Sequence, residues 1–247
     1  MSVRAFTVDP GSTGLRDRRM DVPSVGVRHT PTSVGVCRTL STVMPRPRSL
    51  TTDQLASAAL AVIDRDGLAG LSMRAVAQEL GMSTMGLYRY VHDREELERL
   101  VVELVLNAVD TEPPDPGASW RERIEAMVRR LRDTVGAHPA VVPLTIAHRH
   151  HSLGVLRWSE SVTAVLTEAG IEGDRRVVAL RGLLSYVIGA IQLEHLGPLS
   201  GPGTTAITEL PPAEFPHMTE TARDARSINA DEEFLGGLAM LLDGLGA

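Results

Sequence analysis

The stretch from Leu71 to Leu97, "LSMRAVAQELGMSTMGLYRYVHDREEL", restricts the fold more than any other part of the chain. Three residues able to cap a helix stand at Ser72, Ser83 and Asp93, and each opens a run with apolar residues at helical spacing. Met73, Val76, Ala77 and Leu80 mark one buried face, and Leu87 and Val91, four apart, mark the next. Gly81 closes the first run, where the backbone has to turn left-handed. Ala77, four residues earlier, is small enough to let two helices cross closely. This is the pattern of a helix-turn-helix whose second helix presents Thr84, Arg89 and Tyr90 outward.

The rest of the chain is read by the same period. Thr51 or Thr52 caps a helix carrying Leu55, Ala58, Ala59, Val62 and Ile63 up to Asp66-Gly67, and Asp93 caps a long one over 94–110. The prolines between Thr111 and Gly117 read as a domain boundary. "ASWRERIEAMVRRLRDTVGAHP" is an amphipathic helix stopped by Gly136 and Pro139, and a short helix follows near 140–147. Residues 152–169 form a helix with Leu153, Leu156, Val162, Val165 and Leu166 expected inward. "DRRVVALRGLLSYVIGAIQLEHL" is apolar nearly all round from Val177 to Leu193, which predicts burial on several sides. A long Gly/Pro loop over 197–214, a short helix near 217–226 and an apolar helix from Asp231 to Leu245 complete the reading. No run reads as a strand and no repeat occurs. The expected fold is all-α: a disordered tail over 1–48, a three-helix domain holding the helix-turn-helix over 49–110, and a larger helical domain over 117–247.

Charge distribution matters more than its sum. The net charge is −6, yet residues 1–49 hold eight Arg against three Asp, leaving the tail about +5 and the remainder about −11. All 25 basic residues are arginine, which fits a GC-rich genome as readily as a chemical need for phosphate contacts. Between 71 and 94 the charges are Arg74, Glu79, Arg89, Asp93 and Arg94. A nucleic-acid contact therefore has to use a small local footprint, with the tail as a candidate basic arm. Met44 offers an alternative start just ahead of the ordered part. Cys37 is the single cysteine, which excludes an internal disulfide and fits a reducing cytoplasm. No apolar run approaches the roughly 20 residues of a membrane span, so no membrane partner is expected.

The chain has three tyrosines, and two of them, Tyr88 and Tyr90, flank Arg89 on the short second helix. Phenols reach phosphate oxygens and arginine reads guanine O6 and N7, so the cluster points to double-stranded DNA. The alternatives are a core tyrosine at 88 and a solvated arginine at 89. Gly86 costs helix stability, about 1 kcal/mol against alanine, and close approach of backbone to DNA would justify it. On these residues, 50–110 resemble the DNA-binding domain of the tetracycline-repressor (TetR) family, with Leu87-Tyr88 followed by an aromatic and a valine as the strongest local mark. Ser119-Trp120, "LTEAGI" and "VIGAIQLEH" are similar, more weakly, to that family's C-terminal domain. The resemblance implies that Arg74 contacts phosphate or base, that Ser83, Thr84, Met85, Gly86, Arg89 and Tyr90 face the groove, that Tyr88 holds phosphate, and that Arg94 anchors the DNA backbone beyond the helix. It does not carry over magnesium or tetracycline: Val109 and Met127 stand where the tetracycline repressor grips its drug with histidine and asparagine.

The expected function is a ligand-responsive, DNA-binding transcriptional regulator, a repressor released from a palindromic operator by a small-molecule effector. Met127, Leu131, His148, Trp158 and His195 are the candidate pocket residues. A homodimer is expected through Val177, Leu180, Leu184, Val187 and Ile188 with Leu238 and Leu241. The alternative is an effector-independent regulator or activator. An enzyme is a third reading, for which no nucleophile–base set or phosphate loop is found. His148, His150 and His151 lack the i, i+4 pair that would place two metal ligands on one helix face, so neither metal nor cofactor is expected.

Overall fold

In the computed structural model, which describes residues 50–112 and 114–246, the expected caps are made. Thr51 and Gln54 close a capping box at the start of α1 (Thr52–Asp66). Ser72 caps α2 (Met73–Glu79), Ser83 caps α3 (Thr84–Leu87) and Asp93 caps α4 (Arg94–Asn107), each through a side-chain oxygen accepting a backbone N–H three residues on. Gly81 has φ +65°. Its N–H donates to the Gln78 carbonyl and that of Met82 to the Ala77 carbonyl, at 3.0 and 2.9 Å, so α2 ends on a left-handed glycine with its last carbonyls satisfied. The tail over 1–48 and its reading as a basic arm lie outside the described residues.

Seven further helices follow: α5 (Trp120–Gly136), α6 (Val142–His148), α7 (Leu153–Glu168), α8 (Gly173–Leu196), α9 (Pro202–Thr208), α10 (Pro216–Ala225) and α11 (Ala230–Leu245). Capping boxes at Ser119–Glu122 and Asn229–Glu232 start α5 and α11. No strand occurs among the described residues, and the fold is all-α. One core runs through them, from Leu55, Val62 and Ile63 of α1 through Val101 and Val105 of α4 to Val128, Trp158, Leu183 and Leu238. The break at 111–117 thus separates elements in sequence, while α4 packs on α1 on one side and on α5, α6 and α7 on the other.

Several expectations are corrected. The third helix is shorter than predicted: beyond Leu87 the N–H groups of Arg89 and Tyr90 donate three residues back, to Gly86 and Leu87, so the tyrosines and the arginine ride on a tightening turn. Within the predicted loop over 197–214, Pro202 at the first helical turn starts α9, and α9 packs against α10. Leu153 and Leu156 are half-exposed, while Val162, Val165 and Leu166 are buried as expected and Gly154 and Trp158 complete the buried face of α7. By length and composition α8 is long and apolar enough to cross a membrane, contrary to the sequence reading. Its buried residues Ala179, Leu183, Val187 and Ile191 form one face, packed against α5, α7 and α11, and the expected burial on several sides does not hold within the protomer, where Val177, Val178, Leu193 and Leu196 are exposed.

Candidate functional site

The α2–α3 unit presents a small, capped, outward surface. Met85 is 77% exposed, and Tyr88, Arg89 and Tyr90 are exposed beside it, while Leu87 and Val91 are fully buried beneath. Arg74 and Arg89 have no carboxylate within 4.0 Å among the described residues. The acids nearby are committed elsewhere. Glu79 binds Arg65 at 2.8 Å, and Asp93 caps α4. Arg65 also pairs with Asp66, and these hydrogen bonds raise its pKa. Of the predicted contact residues, Ser83 is engaged as the α3 cap and Arg94 is engaged too: its Nε donates to Glu98 at 2.8 Å and its Nη2 to the Leu68 carbonyl at 3.3 Å.

Gly86 has a local reason as well as the one given by its sequence setting. A Cβ there would come within 3.1 Å of Met82 Cε and 3.2 Å of Ser83 Oγ, and that same hydroxyl accepts from the Gly86 N–H. Glycine lets the cap close on a helix of four residues. Ser83→Ala should remove the cap at a cost of about 1 kcal/mol, a fall of about 2–4 °C in melting temperature. Thermal denaturation of the purified variant checks it.

Two histidine–carboxylate contacts join α1 and α4 to the segments around α6. His138, ahead of α6, lies 2.8 Å from Asp64 of α1, and His148, at the end of α6, lies 3.4 Å from Glu98 of α4. The latter accounts for one member of the His148, His150, His151 cluster. No group of three or more potential metal ligands occurs among the described residues.

The five predicted pocket residues do not come together. Met127 and Trp158 are fully buried, joined by a hydrogen bond from Trp158 Nε1 to the Met127 carbonyl at 3.0 Å. His148 faces Glu98. Leu131 lines a small apolar hollow of about 30 Å³ with Leu106, Val135, Val142 and Thr145. His195 lines a separate polar cleft of about 500 Å³ with Arg132, Glu194 and Asp231. Arg132 is buried under Phe234, and its guanidinium binds Asp231 at 2.6 Å and Glu194 at 3.0 Å, tying α5 to α8 and α11. Burial opposes its charge, but the two carboxylates outweigh that and raise its pKa; Arg132 in turn lowers that of Asp231.

A further groove of about 290 Å³ between α7 and α8 was missed by the sequence reading. It is lined by Arg149, His150, Arg176 and Arg181 together with Leu156 and Leu180. The available signal was that Arg149 and Arg181 have no acid three or four positions away with which to pair along a helix.

The comparisons with known proteins bear on both halves of the chain. Residues 55–99 match the model for bacterial regulatory proteins of the tetR family, and residues 113–247 match that for the tetracyclin repressor-like C-terminal domain. The HTH-type transcriptional repressor DrrR1 of Streptomyces coeruleorubidus is 29% identical over an alignment of 263 positions, covering 97% of this chain and 93% of that protein. The tetracycline repressor protein class D of Escherichia coli is 27% identical over 209 positions, covering 79% and 88%. The structure of ActR from Streptomyces coelicolor in complex with actinorhodin superposes with a TM-score of 0.68 at 28% identity, covering 81% of this chain and 96% of that one. The matches run through the helix-turn-helix and onward through the helical body, and this chain belongs to the TetR family of bacterial regulatory proteins.

Proposed function

We propose that the protein is a homodimeric repressor that binds a palindromic operator through α2 and α3 and releases it when a small molecule occupies the C-terminal half. The carrying observation is the pair of uncompensated arginines, Arg74 and Arg89, on an exposed helix-turn-helix whose neighbouring acids are already engaged. In this reading Arg89 reads a base edge, Tyr88 and Arg74 hold phosphate, and Thr84, Met85, Gly86 and Tyr90 approach the groove around the capped Ser83. Arg94 serves the α4 start before it serves DNA. DrrR1 is named a repressor and ActR was solved with actinorhodin, which supports regulation by a ligand. A mobility shift with the promoter beside the protein's own gene, with and without extract of the producing cells, tests it. A shift that extract abolishes is the expected result, and no shift at any protein concentration overturns it.

Of the residues expected at the dimer surface, Val177 is two-thirds exposed and the others are buried or half-buried in the protomer. Val187 and Leu238 are buried within the protomer, and Leu184 and Leu241 are half-buried. The outward apolar side of α8 holds Val178, Leu193 and Leu196, and that of α11 holds Met240. Tyr186 packs on Phe234, with ring centroids 5.4 Å apart, so the two helices offer one combined face. Val178→Arg with Met240→Arg should yield folded monomers, since both side chains are more than two-thirds exposed. Sedimentation equilibrium reads the mass, and an intact dimer would place the interface elsewhere.

A further inference from the structure

The groove between α7 and α8 combines apolar walls with uncompensated positive charge. Val155 and Leu156 of α7 face Val177, Leu180 and Leu184 of α8 across it. Arg149, Arg176 and Arg181 line the same space, with His150, and no acidic side chain does. None of the three arginines has a carboxylate within 4.0 Å among the described residues. Arg149 donates to the Ile146 carbonyl and Arg176 to Thr167 Oγ1 at 2.7 Å, so their charges remain unneutralised. Elsewhere in this half, Arg121, Arg123, Arg129, Arg130 and Arg132 each reach a carboxylate within 4.0 Å, while the exposed Arg157, Arg223 and Arg226 do not among the described residues. In a body that is acidic overall, acids are available for pairing, and this groove is a place where they are not used.

The second observation is what lies behind the groove. The small apolar hollow walled by Leu106, Leu131 and Val142 shares Arg149, Val155 and Leu184 with it. Arg149 thus borders both the groove and the small apolar hollow behind it. A neutral apolar ligand would leave three cations unpaired, whereas a bare inorganic anion would leave the apolar walls wet.

We propose that this groove binds an amphipathic organic anion, with a carboxylate or sulfonate-type head on Arg149, Arg176 and Arg181 and an apolar body along α7 and α8. The inference rests on the effector-release reading and names the chemical class of the effector. Charge-assisted hydrogen bonds to guanidinium select the head, and the aliphatic walls favour an apolar body over a polar chain.

Two dyes of one skeleton test it on the full-length protein without DNA: 1-anilinonaphthalene-8-sulfonate, which is anionic, and N-phenyl-1-naphthylamine, which is not. Fluorescence titration should find one sulfonate site per protomer. Arg149→Gln and Arg181→Gln should each weaken the sulfonate about tenfold while changing the neutral dye less than about twofold, as expected for loss of a charge-assisted contact. Arg181 has no partner to lose among the described residues, so its variant keeps the test sound if Arg149→Gln folds poorly. Arg223→Gln, outside the groove on α10, should change neither dye. Equal weakening of both dyes, or unchanged sulfonate affinity in both groove variants, overturns the proposal. The regulatory reading fails separately, when the unliganded protein does not shift its own promoter.

Discussion

Arg89→Ala is expected to weaken operator binding by about 1–3 kcal/mol in each half-site and to relax preference at one operator position. A symmetric dimer engages two half-sites, so the total loss is about twice that. The reasoning starts from burial: Leu87 and Val91 are fixed in the core, which forces Arg89 outward from the turn that follows α3. The guanidinium keeps its full donor set because no carboxylate in the described chain holds it. Tyr88→Phe is the matched control. It removes one hydroxyl from an exposed phenol, so it should weaken all sequences alike and leave the preferred operator unchanged. Both variants are to be measured against an operator library at fixed salt, since phosphate contacts make affinity salt-dependent. Equal loss across every sequence for Arg89→Ala would demote this arginine to a backbone contact and move base reading to Thr84, Met85 and Tyr90.

The helix-turn-helix was legible in the sequence because its determinants are local. Ser72, Ser83 and Asp93 each satisfy backbone groups within three residues, and Gly81 turns left-handed where its position required it. The same locality explains the resemblance of 50–110 to its family. What was not legible depends on partners distant in sequence. Part of what holds Arg94, its bond to the Leu68 carbonyl, spans 26 positions, although its pair with Glu98 four residues on was open to a sequence reading. Trp158 looked available to a ligand because its partner, the Met127 carbonyl, lies 31 positions away. The groove arginines are defined by the acids that are absent from their surroundings, and hydropathy periodicity carries no trace of that. The first turn of α7 was misjudged for a simpler reason: an apolar count gives glycine no weight, yet Gly154 is buried there against the backbone of α4.

Gly154→Ala should be the most disruptive single-methyl change in the C-terminal half. A Cβ at this position would lie 2.4 Å from the Leu106 carbonyl oxygen, 2.5 Å from its carbon and 2.8 Å from the Asn107 nitrogen, where ordinary contact begins near 3.4 Å. The obstacles are backbone atoms in the last turn of α4, so no side chain can swing aside and the first turn of α7 has to move. Alanine gains about 1 kcal/mol over glycine in helix propensity, but overpacking a closed contact costs about 1–3 kcal/mol and often more when backbone must shift. Trp158, one turn further along, is fully buried and hydrogen-bonded to α5, which resists the movement and raises the cost. The net loss of up to about 2 kcal/mol corresponds to a melting temperature lower by up to about 8 °C for a domain of this size, and by more where backbone has to shift. Gly136→Ala is the control: nothing lies within 4 Å of its added Cβ at the end of α5, so propensity alone acts and stability should hold or rise slightly. Because α4 runs from the helix-turn-helix to this contact, displacement of α7 should also change operator affinity in a mobility shift, an effect that Gly136→Ala would not share. A Gly154→Ala protein that melts at or above the parent temperature would show that α4 and α7 do not meet backbone to backbone.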